Sequence, residues 1–243
     1  MKKSSLKKPS NIKDVFGAFL LKNAEFSKGQ YDMPMVRSSI STLPTSLFPY
    51  QRIGKKKPEL QGKTALHFYN HDYIFDGKYG VWNALMRGVE FERGFNLRKL
   101  DEFYCIIAPD YSLYLDMPLA WQIWNVYRNR VVTHALQELG YRMVVNVRWT
   151  NEASYEFCFS GIEEGSIVAV GSYGCSKTIA DRCLFDSGLE ELIIRVIPET
   201  IIIYGSVTDS MKSILLKYNQ KYIAFRSDTS VAMEVCYRGN ESK

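Results

Sequence analysis

The chain has 243 residues, 46% of them hydrophobic, 23% charged and 14% aromatic, with a formal net charge of +5. That composition excludes a mostly disordered chain and fits one large folded domain, alone or with an extended arm. No apolar run approaches the roughly 20 residues that cross a bilayer, and the lysine-rich start lacks the apolar core of a signal peptide, so a cytoplasmic protein without membrane contact is expected.

The five cysteines (Cys105, Cys158, Cys175, Cys183 and Cys236) are odd in number and scattered, which suits reduced thiols better than a disulfide framework. Charge divides the chain. Residues 1–63 hold 13 of the 31 Lys+Arg but only 4 of the 26 Asp+Glu, so a basic arm precedes a mildly acidic body. Lys2, Lys3, Lys7, Lys8 and Lys13 crowd the start, and Lys55, Lys56 and Lys57 form a second cluster. Such runs can neutralise phosphates, or simply solvate a tail. Five of the eight prolines also fall in the first 58 residues. The expected organisation is therefore an irregular arm over residues 1–63, with a short helix near Asn11–Leu21, and an α/β domain over residues 64–243.

From residue 101 onward the elements alternate. Phe103–Ala108 is an apolar run closed by Pro109-Asp110, as a buried strand would be. A helix follows over about 118–139. Ala120, Trp124, Tyr127, Val131, Ala135 and Leu139 are spaced as one buried stripe, and Gly140 supplies the stop. Strands are expected at 143–147 and 166–170, a helix at 184–197, and a β-branched strand at 200–204. A helix at 211–218 and a last strand at 222–225 complete the pattern. Strands alternating with helices predict a mostly parallel sheet of β-α repeats, either an open three-layer sheet with helices on both faces or an incomplete barrel. Both architectures bind ligands at the carboxyl ends of the strands. Those ends are Asp110, Arg148-Trp149, Ser172 to Cys175, and Gly205-Ser206.

Four stretches carry a resemblance. Ala108–Asn125, with its Pro-Asp-Tyr-Ser and Asp-Met-Pro segments, is joined by Ser154–Gly161, by the Val-Ala-Val-Gly-Ser-Tyr-Gly-Cys run to Cys175, and by Pro198–Gly205. Together they resemble the domain of unknown function 4417 family of bacteria, phages and mobile genetic elements. The resemblance covers roughly residues 100–205. It implies a phage or mobile-element type of protein and assigns no activity and no catalytic residue.

The candidate catalytic residues are Asp110, Arg148, Ser172 and Cys175, with Trp149, Gly174, Lys177, Gly205 and Ser206 as ligand-binding neighbours. Asp110 could act as a base or bind a ligand hydroxyl, or it could serve its own turn. Arg148 and Trp149 pair a planar cation with a flat ring, which suits an anionic or nucleobase-like ligand. Arg148 pairing Asp110 while Trp149 packs is the structural alternative. Residues 171–178 approach the phosphate-loop pattern, but Ser176 stands where its second glycine belongs, leaving a looser anion cradle. Cys175 lies near Lys177, which could lower its pKa. Asp116 is expected near the helix N-cap. His67 and His71 share one face if the stretch between them is extended, and His134 is expected to be structural. No metal site is assigned and the cofactor is unknown. The expected function is a nucleotide- or nucleic-acid-directed enzyme, the alternative a non-catalytic protein that engages a host protein or nucleic acid.

Overall fold

A computed structural model describes residues 17–53, 62–78, 80–87, 97–175 and 178–233. The lysine clusters at 2–13 and 55–57, most of the helix expected at 11–21, and Lys177 and Cys236 lie outside the described residues.

Among the described residues seven parallel strands run in sequence order across one sheet. They are β1 (Ser46–Pro49), β2 (Thr64–His67), β3 (Cys105–Ile107), β4 (Met143–Asn146), β5 (Val168–Gly171), β6 (Ile201–Tyr204) and β7 (Tyr222–Phe225). The sheet begins before residue 64, because β1 pairs in parallel with β2 from Ser46 opposite Thr64 to Pro49 opposite His67. The connections carry α1 (Asp72–Phe75), α2 (Val81–Arg87), α3 (Leu119–Glu138), α4 (Glu152–Cys158), α5 (Ile179–Val196) and α6 (Asp209–Lys217).

Strand side chains alternate between two faces. Leu66, Ile106 and Met143 pack with helix residues such as Phe75, Leu85 and Leu136. Val145, Val168 and Ile203 pack with Phe157, Leu192 and Met211. The intervening Ala65, Ile107, Val144, Ala169 and Ile202 form a separate cluster with Ile40 that contains no helix residue. Among the described residues helices therefore cover one face only, which decides between the two expected architectures against the open three-layer sheet. Parallel strands laid down in order by same-handed crossovers send every helix to the same side, so the sheet curls around its other face. The outcome is the incomplete barrel. It is nearly closed, with β1 and β7 as its edges among the described residues.

The barrel interior is narrow enough for opposite strands to touch. Tyr69, just beyond β2, stacks on Tyr204 of β6 with ring centroids 4.5 Å apart and planes 8° apart. The amino-terminal end is closed by the segment before β1. Ser38 and Ser39 bond the backbone of Met143, Val145 and Ile167, and Ile40 enters the interior cluster. The carboxyl end stays open.

The long helix departs from its expected face. Val131, Ala135 and Leu139 are buried as the stripe requires, whereas Ala120 is exposed and Trp124 is 39% exposed. Toward its start the helix buries Gln122, Asn125 and Asn129 instead. Their amides reach backbone oxygens of Met117, Ser112 and Pro109 at 2.9, 2.7 and 2.7 Å, tying α3 to the loop after β3. Arg130 is fully buried on the same helix and donates to the Cys158, Ser160 and Asn129 oxygens. Desolvation pulls its pKa down to about 10. Pro118, not Asp116, occupies the position before the helix. Among the described residues no helix is long and apolar enough to cross a membrane.

Candidate functional site

A cleft of about 460 Å³ opens at the carboxyl ends of the strands, within the range of small-molecule sites. Its centre is built from the loops after β3, β4 and β5. Beyond β4 the chain keeps the strand alternation. Asn146 and Arg148 face inward while Val147 and Trp149 join the helix-side core. Asp110, after β3, receives both inward groups. Asn146 Nδ2 donates to its Oδ1 at 2.9 Å and Arg148 Nη1 to its Oδ2 at 2.8 Å. Tyr69 O–H donates to Asn146 Oδ1 at 2.8 Å, which completes a chain from Tyr69 through Asn146 and Asp110 to Arg148.

The electrostatics follow from this chain. The Asp110 carboxylate raises the Arg148 pKa above its ordinary value and so fixes its charge. Burial, with the Asp110 charge behind it, holds the Tyr69 phenol well above its usual pKa and keeps its proton in place. Arg148 lines the cleft, and beyond Nη1 its donors meet no protein acceptor among the described residues. Tyr114, from the loop after β3, and Tyr173, from the loop after β5, line the same cleft, each more than half exposed. Asp72 of α1 accepts from the Ser112 N–H and hydroxyl, and Ser112 in turn receives the Tyr114 hydroxyl. Burial raises the Asp72 carboxyl pKa.

The other sequence-derived candidates are placed as follows. Trp149 is on the helix side of the sheet, against Phe159 and Phe185, and donates to the Leu184 oxygen, so it does not reach the cleft. Strand periodicity is the reason: neighbours of an inward residue point outward. Ser172 is buried and donates to the Ser206 oxygen at 2.8 Å, joining the loops after β5 and β6. Gly205, at φ 122, lets those loops approach, since a Cβ there would lie 2.6 Å from Ser172 Oγ. Gly174, at φ 85, lines the cleft. The Cys175 thiol is turned toward the Gly171 oxygen at 3.6 Å, and burial raises its pKa against the opposing pull of Arg148. It is a poor thiolate in this setting. Thr178 starts α5 with a capping box to Asp181, so its hydroxyl belongs to the helix cap.

His67 and His71 do not share a face. His67 is fully buried in β2, whereas the chain turns into α1 after exposed His71, which stacks on Tyr73. No group of three metal-ligating side chains occurs among the described residues. His134 is buried with Nε2 3.1 Å from the Lys22 oxygen.

This geometry lies within a stretch that other proteins share. A family model described as a domain of unknown function (DUF4417) matches residues 25–223. The chain belongs to that family. It is 31% identical over 179 residues to the Gene 1 protein of Mycobacterium phage D29, covering 74% of this chain and 62% of that protein. To the Gene 1 protein of Mycobacterium phage L5 it is 30% identical over 181 residues, covering 74% of each. The chain thus spans somewhat less than two thirds of the D29 relative's length. No solved structure matches. The family stretch contains Asp110, Arg148, Tyr114 and Tyr173, and ends before one more acidic residue of the cleft, Asp228.

Asp228, with Asn70 and Tyr204, is what sequence reasoning missed. Asp228 follows β7 as Asp110 follows β3, so the rule that ligands gather at strand ends applied to it equally. The polar residues of α3 that brace the β3 loop carried no apolar period and were invisible to pattern reading.

Proposed function

We propose that this DUF4417 protein binds a nucleotide-like anion in the strand-end cleft and acts on it as an enzyme. The observation that carries this reading is Arg148, a cation held by buried Asp110 with its other donors open to a cleft flanked by the exposed rings of Tyr114 and Tyr173. A braced guanidinium suits a phosphate, and flat rings on either side suit a base. Asp72 and Asp228, carboxyls whose pKa burial raises, supply candidate proton-transfer groups at or beside the cleft. Kinship to phage proteins and the basic residues of the first 63 positions agree with a nucleotide or nucleic-acid setting.

The test is a thermal-shift screen with ribonucleoside mono-, di- and triphosphates, followed by chromatography of each ligand after incubation. A concentration-dependent rise in melting temperature for at least one ligand supports binding, and conversion of that ligand supports an enzyme. A flat screen removes the reading.

A second reading has its own observation. Tyr114, Leu115, Leu119, Trp121 and Trp124 are all exposed over one short stretch that spans the loop before α3 and the helix's first turns. An apolar surface of this kind is favoured in macromolecular contacts, which supports a non-catalytic protein engaging a host protein or nucleic acid.

A further inference from the structure

Asp228 opens a short helical stretch, residues 228–233, and lines the same cleft as Arg148. One of its carboxylate oxygens carries all its side-chain contacts. The Tyr204 hydroxyl donates to Oδ2 at 3.2 Å, and His67 Nε2 lies 3.6 Å from the same oxygen. The tautomer of His67 is set by its other nitrogen. The Tyr69 backbone N–H donates to Nδ1 at 3.3 Å, so the ring hydrogen sits on Nε2 and points at Asp228. His67 is fully buried, and Nε2 has no hydrogen-bond partner within bonding distance. Burial, with Arg52 adding to it, pushes its pKa down to about 3, so the ring is neutral and a donor at Nε2.

The second Asp228 oxygen, Oδ1, has no protein donor among the described residues. In the lining of the same cleft, Asn70 holds its Nδ2 buried with no acceptor. An unfilled acceptor and an unfilled donor in one cleft call for a group that both donates and accepts, and a hydroxyl does both. The Asp228 carboxyl is made more basic by burial, against the lowering pull of Tyr204 and Arg52, which strengthens it as an acceptor once ionised.

Resting on the nucleotide reading above, we infer that Asp228 and Asn70 receive a sugar hydroxyl of the ligand whose anionic group meets Arg148, so that the cleft selects ribonucleotides over forms lacking the ribose hydroxyls. His67 acts as a positioning residue. With Tyr204 it draws Oδ2 inward and leaves Oδ1 for the ligand. A site built to bond a hydroxyl rejects the analogue without it, because the buried Asn70 amide is then left unpaired.

The experiment is titration calorimetry of the full chain with the 5′-triphosphates of adenosine, guanosine, cytidine and uridine, in ribo and 2′,3′-dideoxy forms. The wild type should bind at least one ribo form about tenfold or more tightly than its dideoxy counterpart. Asp228→Ala should bring the two forms together while keeping anion binding through Arg148. His67→Phe, which keeps a ring of similar size, should shrink the preference as well, and His67→Gln, which restores a donor, should recover part of it. A change in overall stability alone would not alter the ratio of the two affinities. Equal wild-type affinity for ribo and dideoxy forms, with binding still lost in Arg148→Ala, overturns the hydroxyl site and leaves the anion site standing. No wild-type binding of any triphosphate overturns both.

Discussion

Arg148 Nη1 lies 2.8 Å from Asp110 Oδ2, across loops that follow two neighbouring strands. Asp110 is 7% exposed and already holds Asn146 on its other oxygen, so the pair is fixed from the protein side and open on the arginine side. This contact joins stability to the candidate site: the same carboxylate that keeps the loops together aims the cation.

Removing one member should therefore cost stability. Asp110→Ala leaves Arg148 and Asn146 without their acceptor, and we expect a loss of about 2–4 kcal/mol in denaturant unfolding. Arg148→Ala should cost a similar amount, because it leaves the buried Asp110 carboxylate without its cation. The double variant should fall short of the sum, because the two share one interaction. Additive losses would mean that the contact contributes nothing to the fold.

The long helix permits a comparison of faces. Trp124 sits at a rim, edge-on to Trp82 and stacked on Tyr127, whereas Leu136 is fully buried. Trp124→Ala should cost about 1 kcal/mol, and Leu136→Ala about 3–4 kcal/mol. The reverse order would contradict the packing described for α3.

Gly188 supports α5 against the outward-facing tryptophan. A Cβ at that position would lie 2.0 Å from Trp149 Nε1, deep inside contact distance. Alanine normally favours a helix by about 1 kcal/mol over glycine. Here Gly188→Ala should destabilise instead, by about 1–3 kcal/mol, because Trp149 must leave its place between Phe159 and Phe185. A stabilised variant in thermal unfolding would contradict that placement.

Acid should unfold the protein partly through His67. Its pKa is about 3 in the fold against an ordinary 6.5, so between those values the unfolded chain binds the proton and the folded one does not. Stability is complete above pH 6.5 and falls as the pH drops toward 3, with a slope on the order of 1 kcal/mol per pH unit. Asp72 and Asp228 have raised pKa values and work in the opposite sense, since the folded chain holds their protons more tightly. His67→Phe should therefore flatten or invert the dependence between pH 4 and 6, measured by urea unfolding at several pH values. An unchanged slope would mean that His67 is not the group responsible.

Much of the barrel was legible because its strands are short apolar runs closed by turn residues. The strand at Tyr222–Phe225 was read at its observed ends, and β6 began one residue later than expected. Much of what the pattern does not show carries no apolar period, although α2 does, with Val81, Ala84 and Leu85 on one buried face. β1 lies in a proline-containing basic stretch, and its pairing with β2 is a tertiary fact. The start of α5 is polar, so the helix was expected at 184 although the Thr178 cap begins it at Ile179. Short α4 was not read at all. On α3, Gln122, Asn125 and Asn129 are buried because loop carbonyls await them, and no hydrophobic pattern records that. The same limit divides the site. Strand ends nominated Asp110 and Arg148, while the inward or outward sense of Trp149 and the role of Asp228 emerged only once the sheet had closed.

The most direct test of the central claim is calorimetric titration of wild type and Arg148→Ala, at one fixed salt concentration, with the nucleoside triphosphate that gives the largest thermal shift. The anion site predicts one saturable binding event in the wild type and at least tenfold weaker binding in the variant, with the variant's far-ultraviolet circular dichroism unchanged. Equal affinity in the two folded proteins would contradict it.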